Sequence, residues 1–158
     1  TGVAGTIAHG LGVTPKMVIL KCTTHDNYWM VYHNGVAADA ETDYLNLNDT
    51  VNAGDNDTLW NDTAPTSSVF SIGTNTDVNG SGQTYIAYVF ADVKGYSQFG
   101  SYTGNGNVDG PFVFTGFRPE FILLKRSTGS AVPRLGRGGS TVATESSRDR
   151  RFARRSRC

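Results

Sequence analysis

The chain reads as an all-β protein, an antiparallel β-sandwich of jelly-roll or lectin-like type, and three observations predict it. Its 158 residues include 19 glycines amid many Asn, Asp, Thr and Ser, with few long helix formers, a composition suited to short strands joined by turns. Apolar and aromatic residues recur with a period of two or in short runs bounded by turn residues. One strand-launching pattern also occurs twice. Gly12-Val13-Thr14-Pro15-Lys16-Met17-Val18-Ile19-Leu20-Lys21 is echoed by Gly116-Phe117-Arg118-Pro119-Glu120-Phe121-Ile122-Leu123-Leu124-Lys125, at a constant offset of 119 − 15 = 104.

The opening Thr1 to Leu11 is small and Gly-rich and carries no clear pattern. Pro15 and Pro119 fix φ and lack an N–H, so each belongs at the first position of a strand, and the apolar run after each suits burial on both faces. Tyr28 to His33 alternates, placing Tyr28, Met30 and Tyr32 on one face and Trp29, Val31 and His33 on the other; Asn34-Gly35 then signals a turn. Tyr44-Leu45-Asn46-Leu47-Asn48 alternates like a half-buried strand, within an Asn/Asp-rich stretch of Asx-type turns. Val69 to Ile72 is a short strand, and Asn79 to Gly82 a second hairpin-type turn. Thr84 to Ala91, aromatic and β-branched, is the strongest strand signal and is expected at the centre of the core. Gly95 to Tyr102 alternates once more, and Pro111 to Phe114 leads into the second Pro strand.

The expected organisation is a sandwich domain over 1–128, cut short within a second repeat that begins at 106, followed by an Arg/Ser/Gly-rich tail over 129–158. Residues 1–125 carry 12 acids against five bases, whereas residues 126–158 carry nine Arg against two acids. A basic arm for nucleic acid is one reading of such asymmetry, but the run lacks interleaved aromatics. The tail is instead expected to be disordered or an out-of-frame end, and nucleic acid is not an expected partner. No apolar run approaches the roughly 20 residues that span a bilayer, so membrane insertion is not expected. Cys22 and Cys158 form neither a disulfide framework nor a metal-ligand spacing.

Histidines 9, 25 and 33 match no catalytic triad. Asp39, Glu41 and Asp43 alternate and would suit a polysaccharide depolymerase, and they or Asp55-Asn56-Asp57 supply oxygens for Ca²⁺, although the EF-hand pattern fails. Trp29, Trp60, Tyr28, Tyr32 and Tyr44, with amides and carboxylates near them, have the composition of a sugar site. The residues singled out for ligand binding are Trp29, Tyr32, His33, Trp60, Asn61 and Asp62. No cofactor is expected apart from Ca²⁺ as an alternative.

The run from Tyr85 through Gly106, continued by Asp109-Gly110-Pro111-Phe112-Val113 and Thr115-Gly116-Phe117-Arg118-Pro119, resembles an uncharacterised domain that recurs in virion and tail-fibre-like proteins of marine bacteriophages and in ocean metagenomes. Ala8-His9-Gly10-Leu11-Gly12 and Trp60 to Phe70 carry the same resemblance, which covers residues 5 to 128. It implies a lectin-like sandwich on a virion surface that attaches to a host glycan or protein receptor without catalysis, in a homo-oligomer. A decoration or oligomerisation module of a fibre is the alternative, and a depolymerase the second.

Overall fold

A computed structural model describes residues 2–129 and 132–137. The chain is an all-β protein built of antiparallel sheets. Its principal sheet has five strands: β2 (Met17–Cys22), β3 (Met30–His33), β4 (Asp43–Asn46), β5 (Gly54–Asp55) and β7 (Tyr85–Phe90), in the order β5-β4-β3-β2-β7. A two-stranded ribbon joins β1 (Gly5–Ala8) to β6 (Val69–Ile72), and a separate hairpin joins β8 (Phe121–Leu124) to β9 (Arg134–Arg137). Two single-turn helices, α1 (Asp57–Trp60) and α2 (Thr76–Asn79), flank β6 in sequence.

Period-two alternation divides the principal sheet into two faces, as the residues of β3 require. On the first face, Val18, Leu20, Met30 and Tyr32 meet Leu59 and Trp60 of α1, Phe70 of β6 and Val78 of α2. This is the main core. Burying a side chain such as Leu20 or Phe70 contributes roughly 1.5–3 kcal/mol. On the second face Ile19, Val31 and Leu45 form a smaller cluster, with Met17, Trp29 and Leu47 partly buried against it. Cys22 is buried, and its Sγ donates to Gln83 Oε1 at 3.3 Å.

The cover over the main core is held by polar caps and by one close approach. Asn56 and Asn75, β-region residues at the N-caps of α1 and α2, accept from the N–H groups of Thr58 and Asp77, satisfying donors that a helix start leaves free. Gly73 N donates to Leu59 O at 2.7 Å. A Cβ on Gly73 would lie 1.9 Å from the Thr58 carbonyl oxygen, so only glycine lets β6 run this close to α1.

Several expectations are corrected here. The Tyr85–Phe90 strand is at the edge of the sheet rather than its centre, because β3 and β4 fill the far side of β2 and, among the described residues, nothing pairs beyond β7. One of its rows, Ile86, Tyr88 and Phe90, is also exposed. The 95–102 stretch forms no strand, only a bridge between Val93 and Ser97, and 111–114 is irregular. Asn79 ends α2 rather than opening a hairpin, its amide donating to Val3 O and Gly73 O at 2.7 and 2.8 Å. Within the 129–158 stretch, Arg134–Arg137 forms β9; the expectation for 138–158, Cys158 included, lies outside the described residues.

Candidate functional site

The residues singled out from the sequence fall in three separate places. Tyr32 and Trp60 are core residues, their rings packed edge to face at 5.9 Å with an interplanar angle of 80°. Trp60 Nε1 donates to Asp43 O at 3.0 Å, which satisfies the indole where it is buried. Burial, with the charge of Glu41 adding to it, raises the Tyr32 phenol above its ordinary value. Neither ring is open to a dissolved ligand.

Trp29 and His33 lie on the second face of the sheet. Trp29 is half-buried, with Lys21 Nζ 6.0 Å from its ring centroid. His33 packs against Phe99 at 6.4 Å, and its Nδ1 accepts from Gly35 N at 3.0 Å. Burial lowers its pKa, and the Asp92 carboxylate offsets part of that. Asn61 and Asp62 form the exposed turn that ends α1, both with positive φ (58° and 45°), a conformation that Asn and Asp tolerate better than most residues.

A cleft of about 630 Å³ opens elsewhere, lined by Tyr28, Tyr44, Asn46, Asp49, Asn52 and Gly129 among others. Local sequence explains its walls. Tyr28 precedes β3 on the Met30 side, while Tyr44 and Asn46 are alternate residues of β4, and Asn46 pairs with Met30. All three therefore belong to one face. Tyr44 is opposite Gly54 in the β4–β5 pair, and a Cβ there would come within 2.5 Å of its ring. The missing side chain is what lets the ring lie across β5.

The 49–53 loop forms the rim, and the second Pro strand anchors it. Lys125 Nζ donates to Asp49 O at 2.9 Å and Val51 O at 3.1 Å, and Ala53 N donates to Ser127 O at 2.8 Å. Burial pulls the Lys125 ammonium below its ordinary pKa, with the Asp49 charge opposing that shift.

Asn46 also lines the cleft; it is only 6% exposed, and its Oδ1 is buried without a hydrogen-bond partner. Such an atom costs the fold roughly 1–3 kcal/mol, and a ligand hydroxyl reaches it only if the Asn46 side chain turns toward the cleft. The composition is thus two phenol rings, a buried amide with spare acceptor capacity, and the acidic and amide side chains of Asp49 and Asn52.

The candidate acids do not share the cleft. Asp43 alternates with Tyr44 and so belongs to the opposite face of β4, directly across from Asp55. Burial, followed by the charges of Asp39 and Asp55, raises its pKa. Asn56, one of the proposed Ca²⁺ ligands, spends its side-chain oxygen on the cap of α1, accepting from Thr58 N and Oγ1 at 3.0 and 2.6 Å. Among the described residues no group of three or more His, Cys, Asp or Glu is placed to hold a metal ion. No described helix is long and apolar enough to cross a membrane.

Residues 1–134 match the family described as Domain of unknown function (DUF7483). The chain belongs to that family. The matched span contains the whole principal sheet, the cleft and β8. No curated protein and no solved structure matches the chain.

The sequence pattern puts Tyr28 and Tyr44 among the sugar-site aromatics and does not single out Asn46. Its position two residues after Tyr44 on an alternating strand was the available signal. The contribution of Lys125, Ser127 and Gly129 to the rim had none, because these contacts span more than 70 residues.

Proposed function

We propose that the chain is a non-catalytic binding module that takes a glycan into the cleft formed by Tyr28, Tyr44 and Asn46. The observation that carries this reading is a cleft lined by two tyrosines together with Asn46, whose amide oxygen has no partner. A pyranose offers an apolar face to a phenol ring and hydroxyl donors to a buried acceptor. Asp49 and Asn52 at the rim supply further acceptors for the remaining hydroxyls. In the same proposal the five-stranded sheet and its cover make a lectin-like sandwich displayed on a virion surface, and the ligand is a glycan of the host surface. The last two elements rest on the family resemblance, and fold alone would not supply them.

Glycan-array binding at micromolar concentration tests the reading with the wild type and three variants. Tyr44→Ala and Asn46→Ala should each lower binding at least tenfold, while Trp29→Ala should leave it unchanged and no glycan should be shortened on incubation. Absence of signal for every glycan, or equal binding by all variants, would reject the cleft. Glycan shortening that disappears in Asp43→Asn would establish a depolymerase instead.

A further inference from the structure

We propose that the chain associates head to tail with further copies of itself, the outer edge of β8 receiving the outer edge of β7 from a neighbouring copy. The starting point is that the β8–β9 pair repeats the register of the β2–β3 pair, and that residues 106–128 echo residues 2–24 in sequence. In β2–β3 the partners are Met17 with His33, Val18 with Tyr32, Ile19 with Val31 and Leu20 with Met30; in β8–β9 they are Phe121 with Arg137, Ile122 with Gly136, Leu123 with Leu135 and Leu124 with Arg134. Every pair is displaced by the same offset, 121 − 17 = 137 − 33 = 104. The glycines agree too: Gly2 and Gly106 have φ of 67° and 70°, and Gly12 and Gly116 have 73° and 75°. The second strand pair therefore has the register of the first.

In the first copy the outer edge of β2 is covered by β7 along all six of its residues. Among the described residues the matching edge of β8 pairs with no strand, and Phe121 and Leu135 are 65% and 72% exposed. Among the described residues β7 likewise has an edge that pairs with no strand, and it exposes Ile86, Tyr88 and Phe90. Natural edge strands are usually blunted by proline, lysine or a bulge. Residues 85–90 contain neither proline nor lysine.

These two edges, unpaired among the described residues, differ from each other and form a donor and an acceptor. A contact between them continues the established sheet, giving β5-β4-β3-β2-β7 followed by β8 and β9 of the next copy. Because the two surfaces differ, the association is heterologous and builds rings or filaments.

The ladder shows which N–H groups are available. Thr23 N donates to Thr84 O, and Asn34 N donates to Lys16 O. With strict alternation, the N–H groups of Ile86, Tyr88 and Phe90 then face β2, and that of Ala87 faces the outer edge. The repeated register puts the N–H of Leu123 at the outer edge of β8. Ala87→Pro and Leu123→Pro therefore each remove a donor from one outer edge while sparing the existing ladder.

Analytical ultracentrifugation of the full chain over micromolar to millimolar concentrations should show growing association. Each proline variant alone should be monomeric, and a mixture of the two should form a discrete one-to-one dimer, because each retains the edge that the other lacks. If circular dichroism shows that a proline variant does not fold, Ala87→Lys and Leu123→Lys place a charge at the same edges and are read in the same way. A monomeric wild type overturns the proposal. So does association that survives in the Leu123 variant, which would indicate β7 pairing with β7, or a mixture that stays monomeric.

Discussion

The two hairpins β2–β3 and β8–β9 share one register and opposite surroundings. Leu20 and Met30 are almost wholly buried, whereas their counterparts at the 104 offset are Leu124, which is half-buried, and Arg134, which is exposed. Both strand pairs form because the Pro-launched strand and its antiparallel partner are close in sequence. Only the first acquires β7, β6, α1 and α2 around it. The local pattern therefore specifies a strand pair, and the cover specifies how deep it lies.

The most disruptive way to break this comparison is to remove the cover. Gly73→Ala drives a Cβ into the Thr58 carbonyl and should destabilise the fold by at least about 3 kcal/mol, as forced overpacking does, measured by urea denaturation. Next comes the matched pair. Leu20→Ala should cost about 3 kcal/mol as a core truncation, whereas Leu124→Ala should cost less than about 1 kcal/mol. Equal losses would mean that the two hairpins are equally embedded.

A smaller effect with the opposite sign is expected in the cleft. Asn46→Leu replaces a buried unpartnered acceptor with an apolar group, so it should stabilise the fold by about 1 kcal/mol while abolishing glycan binding. The smallest effect concerns His33. Its pKa is lowered in the folded state, chiefly by burial, so the unfolded chain binds more protons just below about pH 6.5. Stability should then fall as pH drops through 6.5 toward the lowered value, read as a decline in Tm, and His33→Gln should remove that slope.

Much of the fold was legible where pattern and burial agree. The Pro15 strand, the two-faced alternation of 28–33, the Tyr44 strand and the Val69 strand all form within two residues of the expected spans. Tyr85 to Phe90 was legible as a strand but not as an edge, since composition reports how apolar a strand is and not what pairs with it. Gly5 to Ala8 was missed because it is exposed along its length and takes its structure from pairing with β6. The one-turn helices owe their existence to Asn caps that, in sequence, look the same as Asx turns.

For the site, the aromatic and amide composition was visible and its address was not. Trp60 has turn residues on both sides, which suggested exposure, yet α1 turns its ring inward to meet Tyr32. Tyr28 and Tyr44 came together across the sheet through register, and the rim depends on Lys125 reaching back to the Asp49 carbonyl.

The most direct measurement is an NMR titration of the isotope-labelled chain with the strongest glycan from the array, following backbone and side-chain amides. The account predicts saturable shifts at Tyr28, at Tyr44 to Asn46 and across the 49–53 loop, with the Asn46 side-chain amide among the largest. Shifts centred on Trp29 and His33, or on Asn61 and Asp62, with a silent Asn46 would contradict it.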